Sequence, residues 1–132
     1  MIALDTNVLV RFLVADDPEQ FEAAKQSLAR LGPAEESGFV ADIVLAELVW
    51  VLRTTYEHSR GEILQALEAL ASADHLTFED DGRLARALRA FGEGRGDFAD
   101  YLIRERATAA GCSSILTFDR TLQKEKGFSA PT

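Results

Sequence analysis

The chain opens Met1-Ile2-Ala3-Leu4-Asp5-Thr6-Asn7-Val8-Leu9-Val10, an apolar run that contains a carboxylate and a carboxamide. A short apolar run starting at the first residue reads as a strand, over roughly residues 2–5, buried on both faces. Such strands belong to parallel sheets covered by helices, and the rest of the chain repeats the pattern. Strand candidates at 38–41, 75–79, 114–117 and 128–130 are separated by helical segments. The expectation is an α/β fold with a largely parallel sheet. Nothing about building a core requires Asp5. At the carboxyl end of its strand it stands where open parallel sheets bind ligands.

The helix boundaries follow from capping chemistry. Asp17 reads as an N-cap, with Pro18 at the first helical position and Gln20 completing a capping box, for a helix stopped by Gly32-Pro33. Asp42 caps a strongly apolar helix ending near Tyr56, and Ser59-Arg60-Gly61-Glu62 is another capping box, opening a helix to about Ser72. Asp80 or Asp81 starts a helix to about Phe91, and glycines 92, 94 and 96 make a loose connection. Asp97 begins a further helix that ends before Gly111, a fitting C′ glycine. No repeat, low-complexity tract or linker breaks the chain, so residues 1–132 are expected to form a single domain.

Composition narrows the functional classes. A net charge of -8 argues against a broad, non-specific grip on nucleic acid, which needs a basic surface. It does not exclude a nuclease, because carboxylates that ligate a metal count as negative until the metal is bound. Cys112 is the only cysteine, so no internal disulfide can form, in agreement with a reducing, cytoplasmic setting. The apolar first fourteen residues lack a basic start and a small-residue cleavage site, and no stretch reaches the length of a membrane span.

Several acids fit a structural role poorly. Glu47 is the only polar residue between Ile43 and Leu52. A helix apolar on every side is buried on most sides, where an unpaired carboxylate is costly. The bland alternatives are a narrow solvent stripe or a pair with Arg53. Asp5 and Asp119 each stand at the carboxyl end of an apolar strand, and parallel strands place those ends on one rim. Asp97 and Asp100 are three apart at a helix start and face the same way. Taken singly, Asp5, Asp119 and Asp97 also read as cap or turn acids, and either member of the 97/100 pair could merely favour the helix dipole. Gathered together they would need cations, since two unit charges about 4 Å apart repel by roughly 4 kcal/mol at an effective dielectric of about 20. All-oxygen ligands favour a hard ion, Mg²⁺ or Mn²⁺.

The segments Ile2-Ala3-Leu4-Asp5-Thr6-Asn7-Val8-Leu9, Glu47 before Leu48-Val49-Trp50-Val51-Leu52, Asp97-Phe98-Ala99-Asp100-Tyr101-Leu102-Ile103 and Leu116-Thr117-Phe118-Asp119 carry a family resemblance. In this order, across the whole chain, they resemble PIN-domain ribonucleases, and within them the VapC toxins of bacterial type II toxin–antitoxin pairs. The resemblance implies a three-layer α/β/α sandwich with a central, mainly parallel sheet of four to five strands. It implies metal-dependent endonucleolytic cleavage of RNA by an acidic site of Asp5, Glu47, Asp119 and an acid of the 97–100 pair. The Leu-Ile that follows favours Asp100 as the main ligand, with Asp97 beside it. Thr6, Asn7 and Thr117 look like polar helpers. Attack by water would leave a 5′-phosphate and a 3′-hydroxyl. The implied partners are RNA, an antitoxin with a basic inhibitory segment, and a second copy in a homodimer.

Other residues are read more plainly. His58 and His75 have no second ligand at zinc-like spacing, Cys112 reads as a small buried residue, and Trp50 as core or an oligomer interface. Arg83, Arg86 and Arg89 form a helical stripe whose default is solvent. Arg11, Arg95, Arg104 and Arg120 lie near the suspected ligands in sequence and are candidates to steady a phosphate. Two other functions compete. One is a haloacid-dehalogenase-like phosphatase, for which Asn7 stands where a second Asp is normal; the other is a non-catalytic acidic module.

Overall fold

The opening apolar run forms a strand of only two residues, β1 (Ile2–Ala3), before Asp5 turns the chain into helix α1 (Thr6–Leu13). In this computed structural model, which describes all of residues 1–132, the chain divides into two compact units, Met1–Glu79 and Asp80–Thr132.

The first unit continues with α2 (Pro18–Ala29), β2 (Gly38–Val40), α3 (Asp42–Thr54), α4 (Arg60–Ser72) and β3 (Leu76–Phe78). Its sheet runs β1-β2-β3 with every pairing parallel; Ile2 lies opposite Gly38, and Gly38 opposite Leu76. Leu4, Leu9, Val40, Leu45, Leu48, Leu52, Ile63, Leu67 and Phe78 form the core. Two expectations are corrected here. The first strand is not buried on both faces: β1 has one strand neighbour in its sheet, and Ile2 is 64% exposed. Asp42 is not the cap of α3 but its first helical residue, and it is buried. The N-cap is Ala41, whose side chain cannot accept a hydrogen bond. Glu79, at the end of β3, supplies the acceptor instead, with Oε2 2.7 Å from the Asp42 N–H nitrogen.

The other caps divide. Ser59 and Glu62 form the full reciprocal box at 3.2 and 2.9 Å. Asp17 accepts from the Gln20 N–H at 3.0 Å, but the Gln20 side chain turns to Arg11 (2.6 Å), so the second arm of that box is missing.

The second unit contains α5 (Asp81–Glu93), α6 (Phe98–Ala109), β4 (Ile115–Leu116) and β5 (Phe128–Ser129), with a short 3₁₀ turn at Leu122–Lys124. α5 packs against α6, with Phe91 edge-on to Phe98 at 6.0 Å. Strand β4 pairs in parallel with β5, so the five strands form sheets of three and two. Strand β4 is not the buried strand its sequence suggests: with one partner and two residues it leaves Leu116 68% exposed. Helix α6 ends in a Schellman turn. Gly111 takes φ +91°, its N–H donates to the Thr108 carbonyl, and the Cys112 N–H donates to the Ala107 carbonyl. That turn carries Cys112 outward, so the cysteine is exposed rather than buried.

Candidate active site

In the first unit, Asp5 is the N-cap of α1. Its Oδ1 accepts from the Thr6 N–H at 2.8 Å while the residue stays exposed. Thr6, the first residue of the helix, is buried, and its Oγ1 has no hydrogen-bond partner. A buried hydroxyl without a partner is uncommon and marks a place for a water or ligand atom. Asn7 is exposed beside it.

Glu47 departs from expectation. It is exposed, and with Ile43 (78% exposed) and Trp50 (57%) it forms one solvent-facing stripe of α3, at spacings of four and three residues. The buried faces of the helix carry Leu45, Leu48, Val49 and Leu52. The apolar sequence misled because Ile43 and Trp50 are on the outer face. Trp50 is therefore not core, and Glu47 has neither a hydrogen bond nor an ion pair.

The second unit brings three of the expected acids into mutual influence. Asp97 is the N-cap of α6, and Asp100 Oδ2 accepts the Asp97 N–H at 2.8 Å. Burial pushes the Asp100 carboxyl above its ordinary range. The Asp97 N–H pulls the other way, and repulsion from Asp97, Asp119 and Glu125 adds to the rise. Asp119 follows β4 in a tight turn: its Oδ1 accepts from the Thr121 and Leu122 N–H groups (2.9 and 3.1 Å), and its own N–H donates to Thr117 Oγ1 (3.0 Å). Thr117 thus orients Asp119 directly. In neither unit do three His, Cys, Asp or Glu side chains already converge as a metal-holding group.

Two residues of this region escaped the sequence reading. Tyr101 is fully buried; its hydroxyl donates to Glu125 Oε1 (2.8 Å) and accepts from the Gly96 N–H (2.8 Å). Glu125 also accepts the Arg95 N–H at 3.2 Å, so the pair ties down the glycine-rich loop immediately before Asp97. The available signal was the loop itself: Gly94-Arg95-Gly96 has backbone donors to satisfy, and a buried tyrosine needs a partner for its hydroxyl.

The arginines separate into held and free. Arg11 donates to Asp16 (2.9 Å), Gln20 and the Tyr56 hydroxyl, which makes it a strut rather than a free phosphate ligand. Arg104 donates to the Lys126 carbonyl (2.8 Å) and lies over the Tyr101 ring. Arg83 pairs with Asp80 and Arg86 with Glu105, whereas Arg95 and Arg120 present exposed side chains. No helix is long and apolar enough to cross a membrane.

The chain is similar to a VapC ribonuclease of Aquifex aeolicus (strain VF5), 28% identical over 124 residues that cover 94% of this chain and 91% of the relative. The PIN domain family profile matches residues 2–127, nearly the whole sequence. With its parallel strands, its helices and that match, the chain belongs to the PIN-domain family.

Proposed function

We propose that this protein is a divalent-metal-dependent endoribonuclease, a single nuclease domain over residues 1–132 and the toxin of a VapBC-type toxin–antitoxin pair, acting in the cytoplasm. The match to the PIN-domain family over residues 2–127 is the observation that carries the reading; the VapC relative and the juxtaposition of Asp97 and Asp100 at the start of α6 support it. Asp5, Glu47, Asp100 with Asp97, and Asp119 are the residues that would hold the ion; Thr6, Asn7 and Thr117 would support them. They fit a hard cation such as Mg²⁺ or Mn²⁺. The donors are all oxygen, Thr6 Oγ1 is a buried hydroxyl in want of a partner, and Asp100 is a carboxylate repelled by its neighbours. When bound, such an ion polarises a phosphate and lowers the pKa of a water.

The chain's own residues supply orientation. Asp100 is anchored by the Asp97 N–H, and Asp119 by two amides of the following turn. Thr117 fixes the Asp119 backbone, and the Tyr101–Glu125 pair fixes the loop ahead of Asp97. No side-chain nucleophile is required: water attacks phosphorus in line, the P–O3′ bond breaks, and the departing 3′ oxygen takes up a proton, leaving a 5′-phosphate and a 3′-hydroxyl. The regulatory partner is an antitoxin with a basic segment directed at the carboxylates, and the working state is a homodimer.

Purified protein should cleave RNA with Mg²⁺ or Mn²⁺ and not in EDTA, and Asp5→Asn should remove the activity. Metal-independent cleavage that survives this substitution refutes the assignment.

A further inference from the structure

Charge is divided unevenly along this chain. Although the net charge is -8, nine of the fourteen Lys and Arg residues, and only eight of the twenty-two Asp and Glu residues, lie in the second unit. Six of those nine cations line a single open cleft of about 800 Å³: Arg86, Arg89, Arg95, Arg104, Lys124 and Lys126. They come from α5, the loop after it, α6 and the segment leading into β5. An acidic protein that gathers its cations in one concavity has a local field opposite in sign to its overall charge.

The internal bonds of the cleft leave much of that charge unspent. Arg86 is paired with Glu105, and Arg104 is fixed by the Lys126 carbonyl and by the rings of Tyr101 and Phe128, 5.0 and 5.6 Å from its guanidinium carbon. These two form a set wall. The side chains of Arg89, Arg95, Lys124 and Lys126 make no hydrogen bond or ion pair. Only three acids share the lining: Glu93, Glu105, which Arg86 already engages, and Glu125, which the Tyr101 hydroxyl and the Arg95 N–H engage. Folding gains nothing from bringing unpaired like charges together, so the arrangement implies an anion with several separated charges.

We infer that this cleft binds the phosphodiester backbone of a single-stranded RNA and delivers it to the neighbouring acids. The inference rests on the ribonuclease reading above. It goes beyond that reading by assigning Arg89, Arg95, Lys124 and Lys126 as phosphate contacts. Arg95 is two residues from Asp97, and Glu125 in the cleft wall accepts the Arg95 N–H at 3.2 Å, so a strand in the cleft runs past the start of α6 and its carboxylates. Contacts of this kind read phosphates and not bases, which gives affinity without sequence preference.

The test uses the full chain and a fluorescent single-stranded RNA oligonucleotide, with anisotropy measured in EDTA over a salt series and cleavage measured separately in Mg²⁺. Four phosphate contacts on a single strand give a log–log salt slope of about -3, and removing two lowers its magnitude by roughly 1.4. Arg89→Gln/Lys124→Gln should show that flatter slope and about tenfold weaker binding at low salt. Arg89→Lys/Lys124→Arg should retain both, which separates charge from fold. If wild-type protein cleaves RNA in Mg²⁺ while the neutral variant keeps the wild-type slope and affinity, the cleft assignment is wrong and the nuclease reading stands. If wild-type protein neither binds nor cleaves RNA, the nuclease reading itself fails. A poly-glutamate peptide that binds as tightly as RNA, with the same loss in the neutral variant, would make the occupant an acidic protein segment and overturn the assignment to RNA.

Discussion

Removing one oxygen from the second unit should loosen the loop that leads to its acids. In Tyr101→Phe the ring still fills its fully buried position, so no cavity forms. Two hydrogen bonds disappear: the donation to Glu125 Oε1 at 2.8 Å and the acceptance from the Gly96 N–H at 2.8 Å. A bond to a charged acceptor contributes about 1.5–3 kcal/mol, and a buried amide left unpaired costs about 1–3 kcal/mol. Glu125 already takes the Arg95 N–H and can move to take that of Gly96, which recovers part of the loss. The net cost should be about 2–3 kcal/mol. With a urea m-value of about 1.5 kcal/mol/M, the midpoint should fall by roughly 1–2 M with m unchanged. Hydrogen exchange should speed up at the amides of residues 94–97 more than elsewhere, and RNA cleavage should slow although Tyr101 touches no reacting atom. A midpoint shift under about 0.3 M, or uniform exchange across the unit, would refute the claim that this pair holds the loop.

Further outcomes follow from Asp100 and Gly127. Asp100 binds its proton more tightly folded than unfolded, so its contribution to stability is most favourable below the ordinary carboxyl range and is lost as pH rises through the raised folded value. In metal-free protein, Asp100→Asn should therefore match or exceed wild-type stability at neutral pH, by up to about 1 kcal/mol, and should abolish any thermal stabilisation by Mg²⁺. Strong destabilisation without metal would contradict the crowding account. Gly127 combines φ +92° with a space where an added Cβ would meet Arg104 Cδ at 2.9 Å. Gly127→Ala should cost about 1–3 kcal/mol, measured by thermal unfolding.

Alternation of strand and helix made the α/β class legible, because short apolar runs and capping boxes such as Ser59–Glu62 are written in local sequence. Exposure was less legible. Ile2 and Leu116 are apolar because parallel-strand segments usually are, yet each sits on a two-residue strand with a single partner. Glu47 drew attention for a burial it does not have, since Ile43 and Trp50 share its open face. The Asp97–Asp100 step was readable from the i, i+3 spacing. The contribution of Glu125 was not, because it depends on a tertiary bond to a tyrosine twenty-four residues away. Likewise Glu79 caps α3 from a strand end, a partnership that no local pattern specifies.

The central claim is that Asp5, Glu47, Asp100 and Asp119 are each needed for the proposed metal-dependent hydrolysis. Single-turnover cleavage of an RNA substrate in Mg²⁺ by Asp5→Asn, Glu47→Gln, Asp100→Asn and Asp119→Asn, each first shown to be folded, tests it most directly. The expected result is a rate reduction of about 100-fold or more for every variant, with wild-type products carrying 5′-phosphates. Wild-type rates in the Asp5 and Glu47 variants, or in the Asp100 and Asp119 variants, would contradict it.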